Sequence, residues 1–143
     1  MKEDFVTYEI AVKLKEKRYN CELPYAMYNE IGQFCLLTTS APYHVCESGY
    51  KYREYYDYND FDKNDFIAPT ISQVLKWLIE EKNLHIEIVS TAYGYIYIVS
   101  DTPNKGGTDR VNSRYRGRND GGAWDDYNEC VLDAIEYVIE NLI

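Results

Sequence analysis

APTISQVLKWLIEEKNLHIEIVSTAYGYIYIV, residues 68–99, changes its apolar period part-way, and that change decides the fold. Ile71, Val74, Leu75 and Leu78 recur at helical spacing and predict a buried stripe, with Trp77 at its border. Thr70-Ile71-Ser72-Gln73 has the form of a capping box, in which the Thr hydroxyl and the Gln side chain each satisfy a free amide. Pro69 discourages helix before it, and Asn83 marks the stop. From Leu84 the period is two. Leu84, Ile86 and Ile88 take one face of a strand, and His85 and Glu87 take the other. Tyr95–Val99 answers across a turn at Tyr93-Gly94, with Ile96 and Ile98 on the face away from Tyr95, Tyr97 and Val99. The short connection makes the pair antiparallel.

The same reading extends outward. Thr7 is a good N-cap for a helix running to about Arg18, with Ile10, Ala11 and Leu14 on one face. Lys13, Lys15 and Lys17 enrich its C-terminal half, where the helix dipole favours cations, and Asn20 and Pro24 end it. Tyr25–Tyr28 and Gln33–Thr39 form a first hairpin around Asn29, Glu30 and Gly32. Tyr50–Tyr58 (YKYREYYDY) can add an edge strand, since Tyr suits strands and the charges discourage edge pairing. Asp125 or Asp126 caps a last helix, with Glu129 as capping partner and Tyr127, Cys130, Val131, Ala134, Val138 and Leu142 as its apolar face. The expectation is one α+β domain over 1–143. It has an antiparallel sheet of two hairpins, with the edge strand as an addition, and three helices, in the order α-ββ-(β)-α-ββ-α.

Composition bounds the chemistry. The chain has 143 residues and a formal net charge of −9, which argues against a general nucleic-acid binder. Tyr is abundant, 16 against 4 Phe, and supplies apolar area with a polar tip for half-exposed surfaces. Cys21, Cys35, Cys46 and Cys130 form no CxxC pair, and His44 and His85 lie on different segments, so neither a metal site nor a cofactor is expected. No basic-then-apolar leader and no run of bilayer length is present. A cytoplasmic protein with reduced thiols and no membrane association is the expectation.

Four segments together carry a family resemblance: VTYEIAVKLKEK at 6–17, APTISQVLKWLIEEKNLHIEI at 68–88, YGYIYIV at 93–99 and AIEYVIENLI at 134–143. With them the chain resembles a group of short uncharacterised proteins of gut Bacteroidetes and their phages and mobile elements. The shared motifs are capping and core patterns, so the resemblance assigns no catalytic residue. It implies a small accessory protein, phage-encoded or carried by a mobile element. It leaves Ser40–Asp65 and the Pro103–Trp124 segment uncovered.

Those uncovered segments hold the functional candidates. In PNKGGTDRVNSRYRGRNDGGAW, residues 103–124, Lys105, Arg110, Arg114, Arg116 and Arg118 against Asp109 make residues 105–118 net +4 in an acidic chain. Arg forks bind phosphate bidentately, and glycines let backbone amides approach an anion. The spacing fits neither GxxxxGK[ST] nor GxGxxG, and Asp125 and Asp126 would repel a phosphate from the helix that follows. The segment reads either as an anion or partner site, or as a loop that is solvated or paired within the chain. The second tract is acidic and aromatic, net −4 over residues 54–65. Here Tyr55, Tyr56, Asp57, Tyr58, Asp60 and Asp62 are a candidate partner surface, without the Gly and Glu that a calcium loop requires. His44 and Cys46 are the one thiol–imidazole pair close in sequence. The leading expectation is a non-enzymatic binding protein engaging a host protein, or another copy of itself as a homo-oligomer. The alternative is a binder of a phosphorylated, nucleotide-like small molecule through the arginines. The third is a hydrolase using Cys46 or the carboxylates.

Overall fold

In the computed structural model, which describes residues 4–19, 25–37, 44–46, 51–53 and 64–143 (backbone alone for 37, 44–46 and 51–53), the chain divides into two units, Met1–Thr70 and Ile71–Ile143.

The first unit opens on helix α1, Tyr8–Glu16. The Thr7 hydroxyl accepts from the Ile10 amide, and Ile10, Ala11 and Leu14 are buried, as the spacing predicts. Strands β1 (Ala26–Tyr28), β2 (Phe34–Leu37), β3 (His44–Cys46), β4 (Lys51–Arg53) and β5 (Phe66–Ile67) form one antiparallel sheet in the order β4-β3-β2-β1-β5. At the β1–β2 turn the Asn29 carboxamide oxygen accepts from the Ile31 and Gln33 amides, a side chain standing in for backbone. Tyr8 packs edge-on against Tyr28 and Phe66, Phe5 against Phe34, and the Tyr28 hydroxyl donates to Val6 O at 2.7 Å. Thus part of the tyrosine excess is core with its hydroxyl satisfied. Strand β4 falls inside the expected edge strand; residues 54–58 lie outside the described residues.

The second unit begins with α2, Ile71–Lys82, starting directly after Thr70. Val74 and Leu78 are buried, whereas Ile71 and Leu75 are half-buried at the sides of the stripe. Asn83 stops the helix in the left-handed conformation, φ 56°. Strands β6 (Leu84–Thr91) and β7 (Gly94–Asp101) pair antiparallel, with Ile86 opposite Val99 and Ile88 opposite Tyr97. Leu84, Ile86, Tyr97 and Val99 thereby share the buried face, while His85 and Glu87 are exposed. Helix α3, Tyr127–Asn141, is capped by the Asp126 carboxylate, which accepts from the Glu129 amide at 3.1 Å. Tyr95 and Tyr97 meet Tyr127 and Tyr137 of α3 at centroid distances of 5.6 and 6.3 Å, so the tyrosine face of β7 is the helix face. The helix buries Ile135 and Ile139 beside the expected positions, and leaves Tyr127 exposed.

The α+β class, the antiparallel pairing and the three helices are as the sequence implies. The two hairpins belong to separate sheets, however. β5 and β3–β4 extend the first, and β8 (Asp109–Asn112), inside the Arg-rich segment, extends the second in the order β6-β7-β8. Each hairpin finds its additional strands in its own half of the chain.

Candidate functional site

Part of the Arg-rich segment is regular structure. After β7 a single 3₁₀ turn, Pro103–Lys105, and a turn through Gly106-Gly107 send the chain back as β8. Arg110 on β8 pairs with Asp101 on β7, Nη1 to Oδ1 at 3.1 Å. Beyond β8 the fully buried Ser113 completes the ladder in an unusual way. Its hydroxyl accepts from the Tyr97 amide at 2.7 Å while its own amide donates to Tyr97 O at 2.9 Å. Eleven residues later the chain returns to the same edge, where Trp124 and Tyr95 exchange backbone hydrogen bonds of 2.8 and 2.9 Å. Residues 114–123 are therefore an excursion whose two ends are held two residues apart along β7, a compact Ω-type loop.

Asn119 organises its interior. The side-chain oxygen accepts from the Gly121 and Ala123 amides at 3.0 and 2.9 Å. The side-chain nitrogen donates to Tyr93 O and to Asp125 Oδ1. Gly117 N donates to Gly122 O, and Gly122 N donates to Asn119 O. The amides of Gly117, Gly121, Gly122 and Ala123 are thus engaged inside the loop. Gly121 and Gly122 serve close approach: a Cβ on Gly121 would stand 2.5 Å from the Tyr93 Cβ, and one on Gly122 would overlap the Tyr115 backbone.

The expected cations separate into two sets. Arg118 Nη1 pairs with Glu129 Oε1 at 3.0 Å, Arg110 with Asp101, and the Arg116 guanidinium sits over the Tyr137 ring at 5.7 Å. Burial raises the Tyr97 phenol above its usual range, and nearby Arg116 opposes that shift. Lys105 and Arg114 are exposed, and neither side chain has a hydrogen-bond or ion-pair partner among the described residues. Lys105 lies at the β7–β8 turn, apart from the other cations in sequence and fold. Arg114 lines a pocket.

That pocket, about 220 Å³, is the feature sequence reasoning missed. Buried Ile96, on the face of β7 away from the helices, and buried Ala123 form its floor. Tyr93 and Tyr115 stand at its rim, 71% and 79% exposed, the most exposed large apolar side chains of the second unit. Thr91 fixes the Tyr93 side: its hydroxyl donates to Gly94 O at 2.8 Å and accepts from the Tyr93 amide at 3.2 Å. Tyr115 occupies the left-handed region, φ 68°, which costs a side-chain-bearing residue about 1–2 kcal/mol. The signal available in sequence was Tyr115 between Arg114 and Arg116, and Tyr93 immediately before a turn glycine.

Of the other candidates, Tyr55, Tyr56, Asp57, Tyr58, Asp60 and Asp62 lie outside the described residues. His44 and Cys46 stand on β3, with Cys46 directly across from Cys35 in the register. Cys130 is fully buried, and burial, with Asp133 and Glu129 adding to it, pushes its thiol up to about 12, which makes it a core residue at neutral pH. No helix among the described residues is long and apolar enough to cross a membrane. No protein-family model, curated protein or solved structure matches the chain.

Proposed function

We propose that this chain is a non-enzymatic binding protein whose Ω loop docks a partner protein. One observation carries the reading: two exposed tyrosines and an arginine without a side-chain partner among the described residues surround a small apolar floor. Tyr and Arg around a desolvated centre are the residue types that dominate interface energetics. The hydrogen-bonded backbone of the loop adds to this, since a backbone already fixed loses less entropy on docking. A nucleotide-like ligand is less well served. The cavity falls below the ~300–1,000 Å³ usual for small-molecule sites, and the amides of Gly117, Gly121, Gly122 and Ala123 and most of the arginines are engaged. The setting of a phage or mobile-element accessory factor acting on a host protein is part of the proposal and rests on the resemblance alone.

The test is reconstitution with a purified partner. A protein captured by the wild-type chain should bind it in calorimetry and lose at least about tenfold in affinity on the double substitution Tyr93→Ser, Tyr115→Ser, while unfolding stays unchanged. Undiminished affinity would remove this loop from the interface.

A further inference from the structure

We infer that the pocket takes one apolar side chain of an acidic peptide segment, with Arg114 gripping a carboxylate next to that side chain. The inference rests on reading the pocket as a protein-docking site and adds the chemistry of what docks.

Size limits the occupant first. A cavity of about 220 Å³ with an apolar floor of Ile96 and Ala123 suits a single large side chain such as Phe or Leu. Tyr93 and Tyr115 flank that position with rigid rings, which offer area at low entropy cost and keep a hydroxyl for the peptide backbone.

Charge then sets the neighbour. Arg114 has no partner among the described residues, whereas Arg110 and Arg118 have carboxylates of their own. One free guanidinium matches one carboxylate, fork to fork. A phosphate dianion calls for further donors, and the Gly117, Gly121, Gly122 and Ala123 amides already donate to Asn119 and Gly122. The chain's net charge of −9 opposes an acidic peptide at long range. Screening confines that repulsion to about 8 Å at physiological salt, and Arg114, which has no carboxylate partner among the described residues, supplies the attraction at the pocket itself.

Backbone strain is a third, independent observation. Tyr115 keeps a bulky side chain at φ 68° and leaves it exposed, so the ring contributes little packing within its own unit. Gly or Asn would hold this conformation more easily. A strained residue that the fold does not need for packing points to a contact outside the chain.

The experiment uses the full chain and short synthetic peptides with a central Phe, flanked on both sides by Asp, by Asn or by Lys. Fluorescence anisotropy gives affinity, and amide shifts of Ile96 and Ala123 report occupancy. The Asp peptide should bind at least about tenfold tighter than the Asn peptide, and Arg114→Gln should erase that difference. The Lys peptide should bind weakest. Equal binding of the Asp and Asn peptides, with both shifting Ile96 and Ala123, overturns the acidic preference while docking of proteins at the pocket stands. Inorganic phosphate shifting the loop when no peptide does overturns both readings. Pocket shifts that grow with protein concentration alone would mean that a second copy is the occupant, and would overturn the inference.

Discussion

Gly122 lies so close to Tyr115 that a Cβ on it would overlap the Tyr115 Cα and come within 2.9 Å of the Tyr115 carbonyl carbon. The smallest residue of the loop and its most exposed aromatic residue are thus one packing unit, and the glycine decides where the tyrosine stands.

Gly122→Ala should therefore be destabilising on two counts. Its φ of 72° disfavours any side chain, and the added methyl meets backbone that cannot swing aside. We expect a loss of about 2 kcal/mol or more, read as a lower urea midpoint. An unchanged midpoint would contradict the packing described here.

Tyr115→Gly should act in the opposite sense on stability. Relief of the left-handed strain outweighs or balances the extra chain entropy of glycine, so stability should hold or rise by up to about 1 kcal/mol. Tyr115→Ala keeps the strain and should not gain. Thermal unfolding of the two variants side by side separates the effects, and partner binding should fall in both.

Asn119→Ala removes the acceptor of the Gly121 and Ala123 amides and the donor to Tyr93 and Asp125. A cost of about 2 kcal/mol is expected, because each bond contributes on the order of 1 kcal/mol and solvent replaces part of them. Hydrogen exchange should show the Gly121 and Ala123 amides losing protection while those of α3 keep theirs. Equal loss in α3 would mean that the loop and the helix unfold as one.

Cys130 gives a pH test. Its thiol is raised from 9.0 to about 12 in the folded chain. The folded state therefore resists losing that proton more than the unfolded state does. The stabilisation is complete below pH 9 and is lost as pH rises from 9 towards 12. Between pH 9 and 11 the wild-type chain should lose stability more steeply than Cys130→Ala, by urea unfolding at each pH. At pH 8 the native thiol should not react with a disulfide reagent until the chain unfolds.

The fold was legible where period and capping agree. Thr7, Asn83 and Asp126 mark helix ends in sequence and in space, and the alternation from Leu84 to Ile88 fixed the buried face of β6. The placing of β8 was not legible, since Asp109-Arg110-Val111-Asn112 is polar enough to read as loop, and it is the pairing with β7 that makes it a strand. The site was half legible. Charge marked the arginines, but which of them has a partner among the described residues depends on Asp101 and Glu129, and no local pattern points to those partners. The glycines were read as room for an anion, whereas the space beside Gly121 and Gly122 is taken by Tyr93 and Tyr115. Tyr93 is about twenty residues from Tyr115, and only the return of the chain to β7 brings them to one rim.

Because Ser113 and Trp124 grip the edge of β7 at neighbouring positions, residues 114–123 begin and end at almost the same place. A stretch closed on itself in this way can change length or content without shifting β7 or the start of α3. Exposed positions of the loop can therefore vary while the framework stays still, as in an immune receptor whose variable loops ride on a constant scaffold. That separation leaves exposed positions such as Arg114 and Tyr115 open to change, while Asn119, Gly121 and Gly122 are held by the loop's own packing.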